Sequence, residues 1–358
     1  MEFTKEELLE IVSNFNLGDS HATEIVPLGN GLINVTWYVE TNTHRKYVLQ
    51  LINTTVFPNV EQLMNNISYV SDMLYEKGMI SLNIARTNDG KLYFKYKDLY
   101  FRTYRYISDT ISVDSTDDLA IIEAAGNYLG QFHMALNDID VTKISDTIKD
   151  FHNTPKRFEK FINDVETGNK ERMQEAKEEI DFLMSFKDKV NEVEKGLKEG
   201  YIPKRVTHND TKLNNYLFNT ITKKAVCLID FDTIMVSSAL YDFGDATRYL
   251  CNKAGESETD LDKVYFDLNL YEPYARGYLE KGKIFLNKKE IELLPYSSLL
   301  MAIELSIRFL GDYLQNDVYF KIRYEKENLD RARNQIKVAK DIISKTDQIK
   351  NIVNKYSK

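Results

Sequence analysis

The sequence predicts an α+β fold of two lobes, with a β-rich N-lobe over residues 1–107 and a larger, α-rich C-lobe over residues 108–358. Up to residue 107, short runs rich in β-branched and aromatic residues lie between turn signals, which is typical of strands. Beyond Asp114, apolar residues recur mostly at helical spacing. The length of 358 residues fits two domains, or one large two-lobed domain, at roughly 150 residues per domain.

The N-lobe is predicted to contain a five-stranded sheet with one inserted helix. The turn signals Gly29-Asn30-Gly31 and Thr41-Asn42-Thr43 separate the first three strands and predict an antiparallel meander. Basic residues lie among the aromatic ones between 93 and 106, and the alternation of a two-faced strand explains them better than nucleic-acid stacking does. The predicted helices span 5–15 and 60–77, and the predicted strands span 24–28, 34–40, 46–52, 91–97 and 99–107.

The C-lobe is predicted to be helical around one small β-island, after a hinge near residues 105–112. The island consists of residues 205–217 and 225–231, where β-branched and apolar residues form short runs. A last helix over 328–356 carries an apolar stripe that we expect to pack on the body of the protein, with a dimer contact as the alternative. The other predicted helices include 117–136, 171–186, 186–197 and a series that starts at 259.

Composition and charge exclude several classes of function. The net charge of −8 argues against nucleic acid and anionic membranes as partners, because both attract basic surfaces. Cys227 and Cys251 cannot form a disulfide framework and have no zinc-site spacing. The N-terminus has no signal-peptide pattern, and Pro295 and Glu304 interrupt the most apolar stretch, 293–305. We therefore expect a cytoplasmic protein. Our further expectations are a monomer or weak dimer and, from the resemblance given below, a small-molecule substrate.

The first chemical motif is His208-Asn209-Asp210-Thr211-Lys212-Leu213-Asn214-Asn215, which has the form H-x-D-x-x-x-x-N. In kinase-like phosphotransferases the Asp of such a loop accepts or orients the proton of the substrate hydroxyl, and the Asn binds magnesium. Three fixed residues have low specificity when taken alone.

The second motif is an apolar strand, residues 225–229, that ends in Asp230-Phe231-Asp232. Protein kinases have a metal-binding Asp-Phe-Gly at this place. An Asn and an Asp at the ends of neighbouring strands supply the hard oxygen ligands that magnesium prefers. Asp232 is either a ligand of a second metal or a carboxylate that caps a turn.

The third motif is the glycine-rich turn of residues 28–34. Asn-Gly is a strong hairpin signal by itself. A glycine hairpin also lets backbone N–H groups approach phosphate oxygens, so the two interpretations are compatible. Because the three motifs occur together and in this order, their combination is far more specific than any one of them.

Residues 208–215, 228–230 and 241–245 resemble the aminoglycoside phosphotransferase family, which shares the protein-kinase fold. Four further stretches resemble the anomeric sugar kinases that act on N-acetylhexosamines, and the similarity extends from Asn34 to Gln335. These stretches are 150–155, 205–215, 230–235 and 308–314.

The resemblance implies a protein-kinase-like fold and phosphorylation of the C1 hydroxyl of N-acetylglucosamine or N-acetylgalactosamine by ATP and Mg²⁺. It implies that Asp210 is the catalytic base and that Asn215 and Asp230 hold magnesium. The nucleotide would contact Gly29, Asn30, Gly31 and Gln50, with Tyr106 at the adenine-binding hinge. The residues expected near the sugar are Asp210, Thr233, Tyr249, Arg308 and Tyr319. Arg308 is as easily explained as an ion-pair partner of Glu304, four residues earlier on one helix.

The sequence departs from the family pattern at Gln50, where many kinase-like enzymes have a Lys or Arg for the phosphates. Either the sugar-kinase branch works without that charge, or magnesium and the hairpin bind the phosphates alone. Leu32 replaces a residue that is polar in some relatives, which bears on sugar preference. Two alternatives stay open: another small alcohol as acceptor (aminoglycoside, choline, homoserine or neutral hexose), and a non-catalytic nucleotide-binding module.

Overall fold

The computed structural model describes residues 3–29 and 33–358, and its chain forms two compact units. The first unit comprises Met1–Thr110 with two returning segments, Thr142–Ile148 and Cys227–Met235. The second unit comprises Ile111–Val141, Lys149–Val226 and Val236–Lys358. Strands dominate the first unit and helices the second, so the predicted α+β class is confirmed.

The first unit is built on a six-stranded sheet in the order β1-β2-β3-β6-β4, in which β5 also pairs with β6. The sequence predicted five of these strands, so the predicted strand count was wrong by one. It missed β4 because a two-residue strand is too short to show an alternating pattern. The strands are β1 Ala22–Pro27, β2 Val35–Thr41, β3 Lys46–Ile52, β4 Ile84–Ala85, β5 Phe94–Tyr96 and β6 Leu99–Arg105.

Two helices complete the first unit. Helix α1 (Lys5–Ser13) begins with a capping box, in which the Thr4 hydroxyl accepts from the Glu7 amide and the Glu7 carboxylate accepts from the Thr4 amide. Its apolar side, Leu8, Ile11 and Val12, belongs to the buried cluster that includes Trp37 of β2. Helix α2 spans Val60–Glu76.

Buried polar groups hold both returning segments in the first unit. Asn66 of α2 donates through Nδ2 to the carbonyls of Ser145 (2.7 Å) and Ile234 (3.1 Å), and its Oδ1 accepts from the Ser145 amide. Arg102 of β6 pairs with Asp232 at 2.5 Å, and Asn34 donates to the other Asp232 oxygen at 2.6 Å. Because unpaired buried polar groups are costly, these bonds specify where each segment lies.

The second unit is helical around short strands. Strand β7 (Thr110–Ile111) leads into it, β8 (Arg205–Thr207) pairs with β11 (Met235–Ser237), and β9 (Tyr216–Asn219) is followed by β10 (Ala225–Leu228). The helices are α3 Leu119–Ala135, α4 Thr154–Thr167, α5 Lys170–Glu175, α6 Lys177–Met184, α7 Glu192–Glu199, α8 Ala239–Leu250, α9 Leu268–Phe285, α10 Lys288–Leu314, α11 Glu327–Ser344 and α12 Thr346–Tyr356.

Glycines let α3 and α9 approach closely. A Cβ atom at Gly126 would lie 2.1 Å from the Tyr274 carbonyl oxygen, and one at Gly277 would lie 2.2 Å from that of Glu123. Any larger residue at either position would push the helices apart. The close contact fixes α3, which carries His133 into the site described below.

Two helix predictions differ from the structure. The stretch 171–197 forms three short helices, α5 to α7, because the chain bends at Ala176 and again over 185–191. The last predicted helix, 328–356, breaks at Lys345 because α11 packs on α10 whereas α12 packs on α9. Its apolar stripe is buried at Ile336, Ala339, Ile342, Ile349 and Val353, as expected, but Ile343 is 42% exposed.

Among the described residues, α10 is the one helix whose length and apolar composition would suffice to cross a bilayer. Of its most apolar window, 72% is buried inside the protein. Its position against α4, α8 and α11 accounts for that composition, since a helix surrounded by others is apolar on all sides.

The Arg102–Asp232 pair predicts a specific pattern of stabilities. Arg102 and Asp232 side chains are 1% and 3% exposed, so removing either partner leaves a buried charge unpaired. We expect Arg102→Met to lower the free energy of unfolding by about 3–5 kcal/mol, and the double variant with Asp232→Leu to recover most of the loss. Urea unfolding of both single variants and the double variant measures this coupling.

The control is Lys177→Met, which removes an exposed ion pair with Asp181 whose side chains are 71% and 64% exposed. That change should cost at most about 1 kcal/mol. A cost for Arg102→Met no larger than that of Lys177→Met would contradict the assigned role of the buried pair.

Candidate active site

A buried carboxylate on α8 fixes the loop of residues 208–215, which lies between β8 and β9. Asp242 accepts from the amide of His208 through Oδ2 (2.8 Å) and from the amide of Asn209 through Oδ1 (2.7 Å). The Asp242 side chain is fully buried, and His133 Nε2 lies 2.9 Å from its Oδ2. Burial raises the pKa of Asp242, but the His133 hydrogen bond and charge outweigh burial and lower it, so Asp242 is ionised where it holds the loop.

A second carboxylate on the same helix holds the next part of the loop. Asp245 accepts from the Thr211 amide at 3.1 Å, and Thr211 Oγ1 donates to the Asp242 carbonyl at 2.6 Å. Arg248 donates to Asp245 through both Nε (3.0 Å) and Nη2 (2.6 Å), and it also pairs with Glu256. The motif 241–245 therefore acts on the loop, with its two carboxylates one helical turn apart.

Asp210 lies where this loop leaves the buried network. Its side chain is 26% exposed, and Lys212 Nζ lies 2.8 Å from its Oδ1. Burial raises the pKa of Asp210, but the charge and hydrogen bond of Lys212 outweigh burial, so the pKa lies below its ordinary value. Asn209, just before it, has a left-handed backbone with φ of 64°. The geometry presents an ionised carboxylate that can accept a hydrogen bond from a hydroxyl group.

Asn215 and Asp210 are brought together in the second unit. Asn215 Nδ2 donates to the Asp210 carbonyl at 2.8 Å and to Asp210 Oδ2 at 3.2 Å. These two bonds orient the amide and leave its Oδ1 as the atom that can bind a cation. Asp230 belongs to the first unit, where it follows β10 in a left-handed conformation with φ of 64° and is exposed.

The donor atoms of Asn215 and Asp230 fit magnesium, which prefers amide and carboxylate oxygens. In the described part of the chain, no group of three or more His, Cys, Asp or Glu residues could form a metal cage. A cage is not needed for a nucleotide-bound magnesium, because phosphates and water supply most of its ligands and the protein adds one or two.

Asp232 is held by protein groups at both oxygens. Arg102 pairs with one oxygen and Asn34 donates to the other, and Asp232 is 3% exposed. These contacts give Asp232 a structural role, and the interpretation of Asp232 as a ligand of a second metal stays open.

Gln50 lies beside a cation that the sequence analysis missed. In the antiparallel register of β3 and β6, Gln50 is opposite Arg102, and Arg102 Nε donates to Gln50 Oε1 at 3.0 Å. Gln50 Nε2 donates to Thr36 Oγ1 at 3.1 Å. Burial lowers the pKa of Arg102, but the Asp232 carboxylate outweighs burial and raises it, so the guanidinium stays charged. The charge expected at position 50 thus lies one strand away and is paired with Asp232.

The other residues predicted to contact nucleotide lie in the first unit. Gly29 follows β1 with φ of 66°, a left-handed conformation that favours glycine, whereas Asn30, Gly31 and Leu32 lie outside the described residues. Tyr106 follows β6, where its amide donates to the Lys46 carbonyl at 3.0 Å and its ring packs edge-on against Tyr38.

The residues predicted to contact the sugar lie on different elements. Thr233 is buried in a short turn of the first unit. The other three belong to the second unit, where Tyr249 is half-buried on α8 and Tyr319 is 64% exposed after α10. The Arg308 guanidinium on α10 lies 5.4 Å from the ring of Phe151 and 5.8 Å from that of Phe320.

Arg308 is only loosely paired with Glu304. Its Nη1 lies 3.9 Å from Glu304 Oε1, whereas His152 Nδ1 lies 2.7 Å from the same oxygen. The two aromatic rings are therefore the main supports of the guanidinium. His152 is buried against the 208–215 loop, since its Nε2 lies 2.9 Å from the Asn209 carbonyl oxygen.

Solved structures with this fold span nearly the whole chain. An amicoumacin kinase in complex with AMP-PNP, Ca²⁺ and Ami is 13% identical, with a TM-score of 0.65 over 96% of this chain and 94% of the other. An aminoglycoside phosphotransferase from Alicyclobacillus acidocaldarius subsp. acidocaldarius DSM 446 is 13% identical, with a TM-score of 0.65 over 99% and 98%. A microcompartment-associated aminopropanol kinase is 13% identical, with a TM-score of 0.64 over 97% and 99%.

These likenesses confirm the predicted protein-kinase-like fold. The sequence profile of the phosphotransferase enzyme family matches residues 24–281, which is well over half of the 358 residues. The matched range contains the 208–215 loop, Asp230 and the two carboxylates of α8 that hold the loop. The chain belongs to the phosphotransferase enzyme family.

Proposed function

We propose that this phosphotransferase transfers the γ-phosphoryl group of Mg-ATP to the anomeric C1 hydroxyl of N-acetylglucosamine or N-acetylgalactosamine. The observation that carries the proposal is the Asp210 carboxylate, whose pKa lies below its ordinary value and whose Oδ2 accepts a hydrogen bond from Asn215. The choice of sugar rests on the sequence stretches that resemble the anomeric sugar kinases.

Asp210 orients the acceptor hydroxyl through a hydrogen bond and takes its proton as the new O–P bond forms. Asn215 and Asp230 would each offer a side-chain oxygen to magnesium, and the metal would neutralise phosphate charge. Because the transition state of phosphoryl transfer is loose, positioning and charge neutralisation provide most of the rate enhancement. The support of the 208–215 loop by Asp242 and Asp245 serves that positioning.

The nucleotide is held mainly by backbone groups and magnesium in this proposal. The family resemblance assigns the phosphates to the glycine-rich turn, of which the structure describes Gly29, and it assigns the adenine ring to Tyr106. Gln50 adds hydrogen bonding without charge, because the nearby Arg102 is committed to Asp232. The AMP-PNP and Ca²⁺ in the amicoumacin kinase structure support a nucleotide and a divalent cation in this fold.

The second candidate is the same reaction on another small alcohol. Amicoumacin and aminopropanol kinases share the fold, and the net charge of −8 would suit a cationic acceptor. The residues near Arg308 point the other way. Burial, and then the charge of Arg308, lower the pKa of Arg157, whereas Glu304 and Asp150 raise it. Two guanidinium groups in this part of the second unit favour a neutral sugar over a cationic acceptor in this proposal.

An acceptor panel tests the proposed substrate. We expect ADP release from Mg-ATP with N-acetylglucosamine or N-acetylgalactosamine and a product whose phosphate lies on C1 by phosphorus NMR. Glucose, galactose, kanamycin, choline and homoserine are the competing acceptors, and each missing hydrogen bond to the acetamido group should cost about tenfold or more in kcat/KM. Preferential turnover of kanamycin, choline or homoserine would discard the sugar while keeping the phosphotransfer.

The role of Asp210 is tested by Asp210→Asn. We expect kcat to fall by about 10²–10⁴ because the amide cannot take the proton, with the Kd of Mg-ATP within about threefold of wild type. Stopped assays and calorimetric titration measure the two quantities. Asp347→Asn, an exposed carboxylate on α12, is the control and should leave both unchanged. Turnover by Asp210→Asn close to that of wild type would refute the assignment.

The magnesium role of Asp230 is tested by Asp230→Asn. Loss of a charged oxygen ligand should raise the magnesium concentration needed for half-maximal ATP binding by about tenfold or more. Fluorescence titration of a bound ATP analogue at increasing magnesium measures the shift. Asp98→Asn is the matched control in the same unit, since its side chain is fully exposed (101%). Superimposable magnesium curves for Asp230→Asn and wild type would exclude a ligand at this position.

A further inference from the structure

His152 is a buried side chain in the second unit whose two ring nitrogens both face acceptors. Nδ1 lies 2.7 Å from Glu304 Oε1, and Nε2 lies 2.9 Å from the Asn209 carbonyl oxygen. A neutral imidazole has one N–H, whereas these two contacts need two. With Glu304 ionised, both contacts are satisfied only by the doubly protonated imidazolium. His133 differs, because Tyr278 OH can donate to its Nδ1 while its Nε2 donates to Asp242, so a neutral ring suffices.

Glu304 is the counter-ion that keeps this proton in place. It is fully buried on α10, and Thr154 Oγ1 donates to its second oxygen at 2.6 Å. Burial, the largest single effect, raises the pKa of Glu304, but the charge and hydrogen bond of His152 together with Arg308 and Thr154 outweigh it, and the carboxyl stays ionised with a lowered pKa. The pair is thus His152⁺ and Glu304⁻. Because both side chains are buried, removing either charge would leave the other one unpaired in the protein interior.

The other charged and titratable groups around His152 have both signs. Tyr241 of α8 stacks on the imidazole with ring centroids 5.6 Å apart, and its hydroxyl donates to Glu194 of α7. Burial lowers the pKa of His152, but Glu304 outweighs burial, and Asp245 adds to the rise. The groups that face the pair are Asp245 and Tyr241 of α8, Glu194 of α7, Arg308 of α10, and Asp150 and Arg157 of the segment that carries His152.

We propose that His152 is a positioning residue, which holds the Asn209 carbonyl through a proton on Nε2, and that Glu304 maintains this proton. The peptide it holds precedes Asp210 directly, and Asn209 has a left-handed backbone that needs such support. The proposal rests on the proposed role of Asp210 in phosphoryl transfer. Neither residue touches substrate; both act through the position of the Asp210 carboxylate.

Loss of one proton from His152 disturbs the loop in a defined way. The carboxylate is the stronger acceptor, so the neutral ring keeps its proton on Nδ1 and leaves Nε2 bare. Two acceptors, Nε2 and the Asn209 oxygen, then face each other at 2.9 Å and repel. Because the folded pKa of His152 is raised, the contact is present below that pKa and is lost as the pH rises through it.

Glu304→Gln separates positioning from simple stability. The Gln amide can donate to Nδ1, so a neutral His152 then carries its proton on Nε2 and keeps the Asn209 contact at every pH. We therefore expect kcat of wild type to fall by about tenfold per pH unit above the pKa of His152, and kcat of Glu304→Gln to lack this alkaline fall. If Glu304 only stabilised the fold, replacing it by Gln would not abolish the fall of kcat at alkaline pH.

The matched control is Glu40→Gln, which removes the carboxylate beside His44 of the first unit. His44 Nδ1 lies 2.9 Å from Glu40 Oε1, and the His44 side chain is 87% exposed. This variant should keep the alkaline fall of wild type, because it changes a His–carboxylate pair that is remote in sequence from the loop.

The experiment combines side-chain ¹⁵N NMR of the five histidines with pH profiles of kcat for wild type, Glu304→Gln and Glu40→Gln. Two protonated nitrogens on His152 at neutral pH and an alkaline fall lost only in Glu304→Gln support the proposal. A single protonated nitrogen on wild-type His152 at neutral pH, or the same alkaline fall in Glu304→Gln, overturns it.

Hydrogen exchange of the Asn209 and Asp210 amides keeps this test separate from the proposed function, because it needs no acceptor. Exchange in wild type should accelerate beyond its intrinsic increase above the His152 pKa, and it should not do so in Glu304→Gln. Equal acceleration in both proteins overturns the proposal even when no acceptor is known. If Glu304→Gln fails to fold, the protonation of wild-type His152 at neutral pH decides alone.

Discussion

The buried carboxylate of Asp242 is the constraint on which the 208–215 loop depends. Its two oxygens accept from consecutive backbone amides, those of His208 and Asn209, while His133 supports it from α3. A charge with no exposure is stable only with such partners, and removing them would cost several kcal/mol. The close glycine contacts between α3 and α9 matter for the same reason, because they set the position of His133. The packing of α3 on α9 therefore helps to set the position of Asp210, through His133 and Asp242.

A second constraint operates in the first unit, where the chain returns twice. The segment that carries Asp230 is held by Asn66, Asn34 and Arg102. Asp230 adds to the raised pKa of Arg102, so the buried cation acts on the proposed magnesium ligand as well as on Asp232. The absence of a Lys at position 50 therefore does not mean the absence of positive charge. The positive charge is that of Arg102 on the neighbouring strand, where it is buried and pairs with Asp232.

The sequence was sufficient for features that depend on local spacing and insufficient for those that depend on distant partners. Strand 46–52 follows from nearby residues and is present as predicted, and the five-residue spacing of Asp210 and Asn215 is short enough for the two side chains to meet in one loop. Arg102 looked like an ordinary member of an alternating strand, because its partner Asp232 is 130 positions later. His152 and Glu304 are likewise 152 positions apart. The residues next to His152 in the sequence, Phe151 and Asn153, gave no sign of the buried carboxylate that it would face.

The position of Arg308 connects these constraints to the choice of acceptor. Its partner Glu304 is already neutralised by His152, so Arg308 keeps most of its charge unbalanced and rests on the faces of Phe151 and Phe320. A guanidinium that lies near two aromatic rings can still donate to hydroxyl or acetamido oxygens. A cationic acceptor would meet this charge and that of Arg157, whereas a neutral sugar would meet only donors. If the proposals for His152 and the sugar both hold, the buried proton that supports Asp210 also leaves Arg308 available for the acceptor.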